Sequence, residues 1–168
     1  VVKSLVAALV LSRLDYGSAT LSGLPAAQLD RLQSVLNAAA RLVFTARKFD
    51  HVTPLLHSLH WLRVRERIDF RLAVITYRCL HGTAPAYLAD ELQSVANCGC
   101  RRGRSASTAA LIVPPTRLST IGDRAFSDAA SRVWNRLPPL VTSAPSLPVF
   151  RQRLKTALFD RSYRVERQ

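Results

Sequence analysis

Two segments decide the fold: PAAQLDRLQSVLNAAARLVF at residues 25–44 and RVRERIDFRLAVITYRCLHG at residues 63–82. In the first, Leu29, Leu32, Leu36, Ala39 and Val43 recur at steps of three and four, which places them on one face of a helix. Arg31, Gln33, Asn37 and Arg41 fall on other faces. Pro25 suits a first helical position, where its missing N–H costs nothing. In the second segment Val64, Ile68, Leu72, Ile75 and Cys79 share an arc of roughly 80° at about 100° per residue. Arg63, Arg67, Arg71 and Arg78 fill a neighbouring arc, and Phe70, Val74 and Tyr77 form an apolar patch beyond them. Such a helix is expected to be held on two sides, with a cationic ridge between. Gly82 fits the position just past the helix, and Pro85 blocks continuation.

The linker between the two helices carries its own helix start. Thr53 followed by Pro54 reads as a cap and a first position. A short turn through Leu55, Leu56 and Leu59 then delivers Trp61 into the groove between the long helices.

Working outward, Val1 to Tyr16 is a compact apolar pattern, expected as a buried helix or as one whose partner lies upstream. Gly17 to Leu24 is a connection broken at Gly23. A short helix is expected over Pro85 to Leu92. From Ser94 to Ala110 the chain turns small, basic and flexible, as in a linker. Leu111-Ile112-Val113 is β-rich and stopped by Pro114 and Pro115, which predicts a two-stranded hairpin with the residues after it. Asp123 to Leu137 is patterned as a helix with Phe126, Ala130, Val133, Trp134 and Leu137 inward. Ser146 opens a last helix with Val149, Leu154, Leu158 and Phe159 inward and Arg151, Arg153 and Lys155 outward. The expected fold is therefore mainly α, a helical bundle around two long amphipathic helices, with a small C-terminal α+β piece. Its parts are a helical module at 1–93, a basic linker at 94–110, a hairpin-helix-helix extension at 111–160 and a frayed tail at 161–168.

Charge is the outlier of the composition. Lys and Arg number 24 against 11 Asp and Glu, a formal charge of +13 over 168 residues. Residues 101–168 hold 13 of the basic and 4 of the acidic groups, so most of the excess, +9, is C-terminal. That balance points to a polyanionic partner, most simply nucleic acid. A membrane surface fits less well, because the basic residues are mostly Arg scattered among polar ones. No signal peptide pattern opens the chain and no apolar run approaches 18 residues, so an intracellular setting in nucleus or cytoplasm is expected, without secretion. The absence of Met and the start at Val1 suggest a segment of a longer reading frame. The 3 cysteines, Cys79, Cys98 and Cys100, give no disulfide framework and only one tight pair, a poor zinc pattern.

No catalytic constellation is visible. Asp90-Glu91 after Tyr87 superficially resembles the Tyr-X-Asp-Asp of polymerases, but the Asp comes one residue late and the context is helical. His51, His57, His60 and His81 pair with no evident nucleophile, and no Gly-rich phosphate loop is present. What remains is basic helix surface. Candidate phosphate-binding residues are Arg41, Arg47 and Lys48 at the end of the first long helix and Arg63, Arg67, Arg71 and Arg78 on the ridge of the second. Arg101, Arg102 and Arg104 in the linker complete the set. The plainer alternative is that Glu66 and Asp69 pair with some of these arginines. Trp61, Tyr77, Phe126 and Trp134 read as core rather than as stacking platforms.

The order of several short motifs resembles a known family. Arg13-Leu14-Asp15-Tyr16, Gly23-Leu24-Pro25, Arg31-Leu32-Gln33 and Asn37-Ala38-Ala39-Ala40-Arg41-Leu42 resemble the region after the polymerase core in LINE-type, jockey-like non-LTR retrotransposon reverse transcriptases. So do Asp50-His51-Val52-Thr53-Pro54, Leu59-His60-Trp61-Leu62, Arg67-Ile68, Thr76-Tyr77, Leu80-His81-Gly82 and Ala84-Pro85-Ala86-Tyr87-Leu88. The likeness resumes at Gly122-Asp123-Arg124-Ala125-Phe126, Trp134-Asn135-Arg136-Leu137-Pro138 and Ser143-Ala144-Pro145-Ser146-Leu147. Gly17-Ser18 departs from the Cys-Asn often found there, and the Cys98–Arg104 loop has no counterpart in that pattern. The resemblance implies a thumb-like, non-catalytic C-terminal part of an RNA-directed DNA polymerase. Its palm carboxylates, and the magnesium they hold in the parent enzyme, would lie upstream, so no cofactor and no catalytic residue is expected in this segment. The implied partners are RNA and RNA–DNA hybrid, together with the palm and fingers of the same polypeptide. The alternative is a structural or protein-interaction module, or a decayed transposon fragment, that binds no nucleic acid.

Overall fold

The computed structural model describes residues 2–92, 110–115 and 125–164. The fold is mainly α. In chain order the helices are α1 (Val2–Val6), a π-helical stretch (Ala7–Leu11), α2 (Ser12–Asp15), a 3₁₀ turn (Ser18–Leu21), α3 (Ala26–Phe44), α4 (Val52–Ser58) and α5 (Val64–Leu80). After these come α6 (Ala86–Ala89), α7 (Phe126–Asn135), α8 (Pro139–Thr142) and α9 (Leu147–Arg164). Among the described residues no helix is long and apolar enough to cross a membrane.

Helix α5 is the hub. It packs against α9 and α7, and also touches α3, α2, α6 and the 3₁₀ turn. The two-sided pattern of its sequence explains this. Val64, Ile68, Leu72 and Cys79 of the first stripe are buried, and so are Val74 and Tyr77 of the second patch. Ala73 and Thr76 fill in at 0% exposure, where a small side chain allows close helix approach. On α3, Leu36, Ala39 and Ala40 are buried while Leu29, Leu32 and Val43 pack at the edge. Trp61 is buried in the turn between α4 and α5, as its spacing predicted.

The C-terminal helices join the same core. Phe150, Leu154 and Leu158 recur every four residues along α9 and are each buried. A stack of rings runs Trp134, Phe150, Tyr77, His81, with centroid spacings of 5.8, 4.4 and 3.8 Å. It knits α7 and α9 to α5, and the Tyr77 hydroxyl donates to the Ala144 carbonyl at 3.1 Å. Buried residues of α7 and α9 belong to one cluster with those of α3, α4 and α5, so the hydrophobic core crosses from the 1–93 module into the C-terminal extension.

Several local expectations are corrected. The hairpin is not supported: among the described residues there is no strand, and Leu111 forms an isolated bridge. A side chain supplies pairing there instead. The Leu111 N–H donates to Asn135 Oδ1 at 2.9 Å, and Asn135 Nδ2 donates back to the Leu111 carbonyl at 2.8 Å. One amide thus satisfies both backbone groups that a neighbouring strand would take. Residues 116–124, which would carry the second strand, lie outside the described residues, as does the 94–109 linker.

The helical pattern is present over residues 2–15 but, among the described residues, the helix is not buried, which goes against the first of its two expected settings and leaves the one with a partner upstream. Val6 is buried, whereas Leu5 and Leu9 are 55% and 69% exposed, because among the described residues the helix leans on α3 by one side. Pro25 precedes α3 as its cap residue, and α4 begins at Val52, so Thr53 lies inside the first turn. Of the tail expected to fray, residues 161–164 are helical, and residues 165–168 lie outside the described residues. Tyr163 anchors it, buried at 8% exposure, with its hydroxyl donating to the Trp61 carbonyl.

Candidate nucleic-acid interface

The cationic ridge of α5 exists, and each of its arginines already has an internal acceptor or ring. Arg67 grips Asp15 with both arms, Nε to Oδ1 at 3.0 Å and Nη2 to Oδ2 at 2.8 Å. Arg71 Nη2 reaches Asp15 Oδ2 at 3.1 Å. One carboxylate therefore serves two guanidiniums, and the trio keeps a charge of +1. Arg78 donates to the Thr83 carbonyl at 3.0 Å, closing the end of its own helix. Arg63 donates to Thr53 Oγ1 at 3.4 Å and lies over the Tyr163 ring, 5.6 Å from its centroid. Arg67 is 16% exposed and Arg71 50%, so Arg71 is the one of that pair that still faces water.

The second predicted patch is a turn after α3. Helix α3 ends with Thr45 in the left-handed region, φ 51°, and the Ala46 N–H reaches back to the Arg41 carbonyl at 2.9 Å. Asp50 then folds the following residues inward. Its carboxylate accepts the Arg47 N–H at 2.7 Å, and its carbonyl accepts Arg41 Nη2 at 3.2 Å. Arg47 and Lys48 are exposed, with Lys48 Nζ 5.9 Å from the centroid of the Phe49 ring. Arg41 is thus tied to the turn that carries Arg47 and Lys48. Arg101, Arg102 and Arg104 lie outside the described residues.

Sequence reasoning missed the groups that organise these cations. Asp15 and Asp50 are single acidic residues far from, or beside, the arginines they hold, and no local pattern marks them as partners. Lys155 is a further omission. It lines a cleft of about 310 Å³ with Asp15, Arg67, Arg71 and Phe70. Glu66 and Asp69, expected to pair with some of the candidate arginines, instead both contact Arg161 of α9, which was not among them.

The remaining candidate chemistry resolves into packing. His57 and His60 meet Phe159 at 5.0 and 5.6 Å between centroids, and His81 Nδ1–H donates to the Tyr77 carbonyl at 2.8 Å. Asp90 and Glu91 are exposed at the end of α6. Among the described residues no three His, Cys, Asp or Glu side chains are grouped closely enough to hold a metal ion.

No family model matches the chain, and no curated protein and no solved structure is significantly similar to it.

Proposed function

We propose that this chain is a sequence-tolerant nucleic-acid-binding module without an active site of its own. On this reading it grips template–primer duplex or element RNA beside the catalytic part of a LINE-type reverse transcriptase. The charge excess carries it. With 24 basic and 11 acidic side chains, pairing every carboxylate with one cation still leaves 13 cations over. A surplus of that size attracts phosphate polymers, and release of their counterions drives binding. The ordered motifs that resemble the post-polymerase region of such enzymes supply the parentage. The test is a salt titration of binding to an RNA–DNA hybrid. Log affinity should fall linearly with log salt, with a slope of about −0.7 to −0.9 per phosphate contacted. No binding at low salt would sink the proposal.

A second reading has its own support. Arg67, Arg71 and Arg161 are engaged by Asp15, Glu66 and Asp69, so part of the ridge holds helices together. On that reading the module is structural or binds acidic protein surfaces, and nucleic-acid affinity is negligible in the same titration.

A further inference from the structure

We infer that the turn at residues 44–50 holds one unpaired base of a single-stranded nucleic acid against the ring of Phe49, with Arg47 and Lys48 on the flanking phosphates. This rests on the nucleic-acid reading above and names the form of ligand that the turn takes. Phe49 is 89% exposed, the highest value among the large apolar side chains described. A phenyl ring left in water gains free energy from any partner that covers it.

The turn that presents the ring is firmly built. Thr45 holds a left-handed backbone despite its branched Cβ, a conformation that surrounding contacts must maintain. Hydrogen bonds from Ala46 to Arg41, from Arg47 and Arg41 to Asp50, and from the Asp50 N–H to the Arg47 carbonyl close the turn on both sides. A ring offered by a fixed backbone loses little freedom when it is covered.

Charge chooses the partner. Arg41, Arg47 and Lys48 outnumber Asp50, whose carbonyl takes the Arg41 guanidinium and whose carboxylate takes the Arg47 N–H, so the turn with Arg41 carries +2 with the aromatic ring beside it. A single strand offers what this arrangement fits, a π face flanked by phosphates. A paired base hides its face in the stack and offers only phosphates. A bilayer anchor needs a broad apolar face, whereas the neighbours of Phe49 are Lys48 and Asp50.

The experiment uses the full 168-residue chain, a labelled oligouridine and a labelled duplex of equal length, each titrated across a salt series. Phe49→Ala should weaken oligouridine binding roughly 5- to 150-fold, with unchanged salt slope and unchanged duplex affinity. Arg47→Gln with Lys48→Gln should instead flatten the slope for oligouridine by about 1.4. In Phe49→Trp, oligouridine should quench a red-shifted indole emission that the wild type lacks, since its own Trp61 and Trp134 are buried at 7% and 3% exposure and emit at shorter wavelength. If Phe49→Ala binds oligouridine as the wild type does, the stacking site is refuted while the nucleic-acid reading stands. If the wild type binds neither probe at low salt, both fall. If Phe49→Ala loses binding only to vesicles of anionic lipid, the turn is a membrane contact and the inference is overturned. The ring is exposed, so thermal melting of Phe49→Ala should match the wild type and rule out misfolding.

Discussion

Arg67 and Asp15, 52 positions apart in the chain, meet in a two-armed ion pair that fastens the N-terminal helix to the hub helix. Both side chains are mostly shielded, at 16% and 20% exposure, and Arg71 leans on the same carboxylate. Exposed pairs contribute little, but removing one member of a shielded pair leaves the other desolvated without compensation. Asp15→Asn should therefore cost about 1–3 kcal/mol, below the full buried-pair figure because water still reaches both groups. That corresponds to a fall in Tm of roughly 2–10 °C for a chain of this size. The same change removes a negative charge, so RNA affinity should hold or rise. A melting curve identical to the wild type would show the pair to be ornamental.

Three helix ends share one geometry and differ in residue. Helices α3, α4 and α5 are followed by Thr45, His60 and Gly82 at φ 51°, 53° and 66°. In each case the next N–H reaches back five residues: Ala46 to Arg41, Trp61 to Leu56 and Thr83 to Arg78. Glycine adopts this backbone freely and a β-branched residue does not. Thr45→Gly should stabilise the protein by about 0.5–1 kcal/mol in denaturant unfolding, and Gly82→Ala should destabilise it by about 1–2 kcal/mol. A Cβ at Gly82 meets nothing within 4 Å, so the cost there is purely conformational. His60 has a ring contact with Phe159 to lose, so the same substitution there should yield less. Effects of opposite sign at Thr45 and Gly82 are the signature, and a destabilised Thr45→Gly would refute it.

Burial pushes the Cys79 thiol above its ordinary value, with the Arg78 guanidinium pulling weakly the other way. The folded protein then holds that proton at pH values where the unfolded chain has released it. The stabilising contribution is fully present below the unfolded thiol value, about 8.5, and is lost as pH rises through the folded one. Comparing the wild type with Cys79→Ala in denaturant unfolding, the wild-type advantage should shrink as pH climbs past that point. A constant advantage across the range would mean that the thiol titrates normally in the fold.

Periodicity made the two long helices, most of the inward faces of α7 and α9 and the burial of Trp61 legible, because apolar spacing follows directly from packing, although it left out Phe150, which is fully buried. What it hid depends on long-range partners. The stretch at Leu111 has strand composition, yet its backbone is satisfied by the Asn135 side chain, a choice that no local pattern records. Leu5 and Leu9 look like core because they are apolar, but among the described residues the packing covers one side of their helix and leaves these two exposed. The arginines of α5 were visible as a row, while their state was not, since the carboxylates that engage them come from α2 or leave them for α9. The turn at Arg47 and Lys48 was legible as a basic cluster, and Phe49 became meaningful only once its exposure was known.

That division of the cations separates the two functional readings by experiment. Arg67 and Arg71 are tied to Asp15, whereas Arg151 and Lys155 stand exposed on α9, four residues apart, with no ion-pair partner among the described residues. A guanidinium already bound to a carboxylate releases few counterions on meeting phosphate, while an unpaired cation adds its full share to the salt dependence. Arg67→Ala with Arg71→Ala should thus lower Tm, by roughly 2–10 °C, and leave the salt slope of RNA binding nearly intact. Arg151→Gln with Lys155→Gln should leave Tm within about 2 °C and flatten the slope by about 1.4 to 1.8. If both pairs changed stability and neither changed the slope, α9 would be a packing face only, and the phosphate contacts would have to come from elsewhere on the chain.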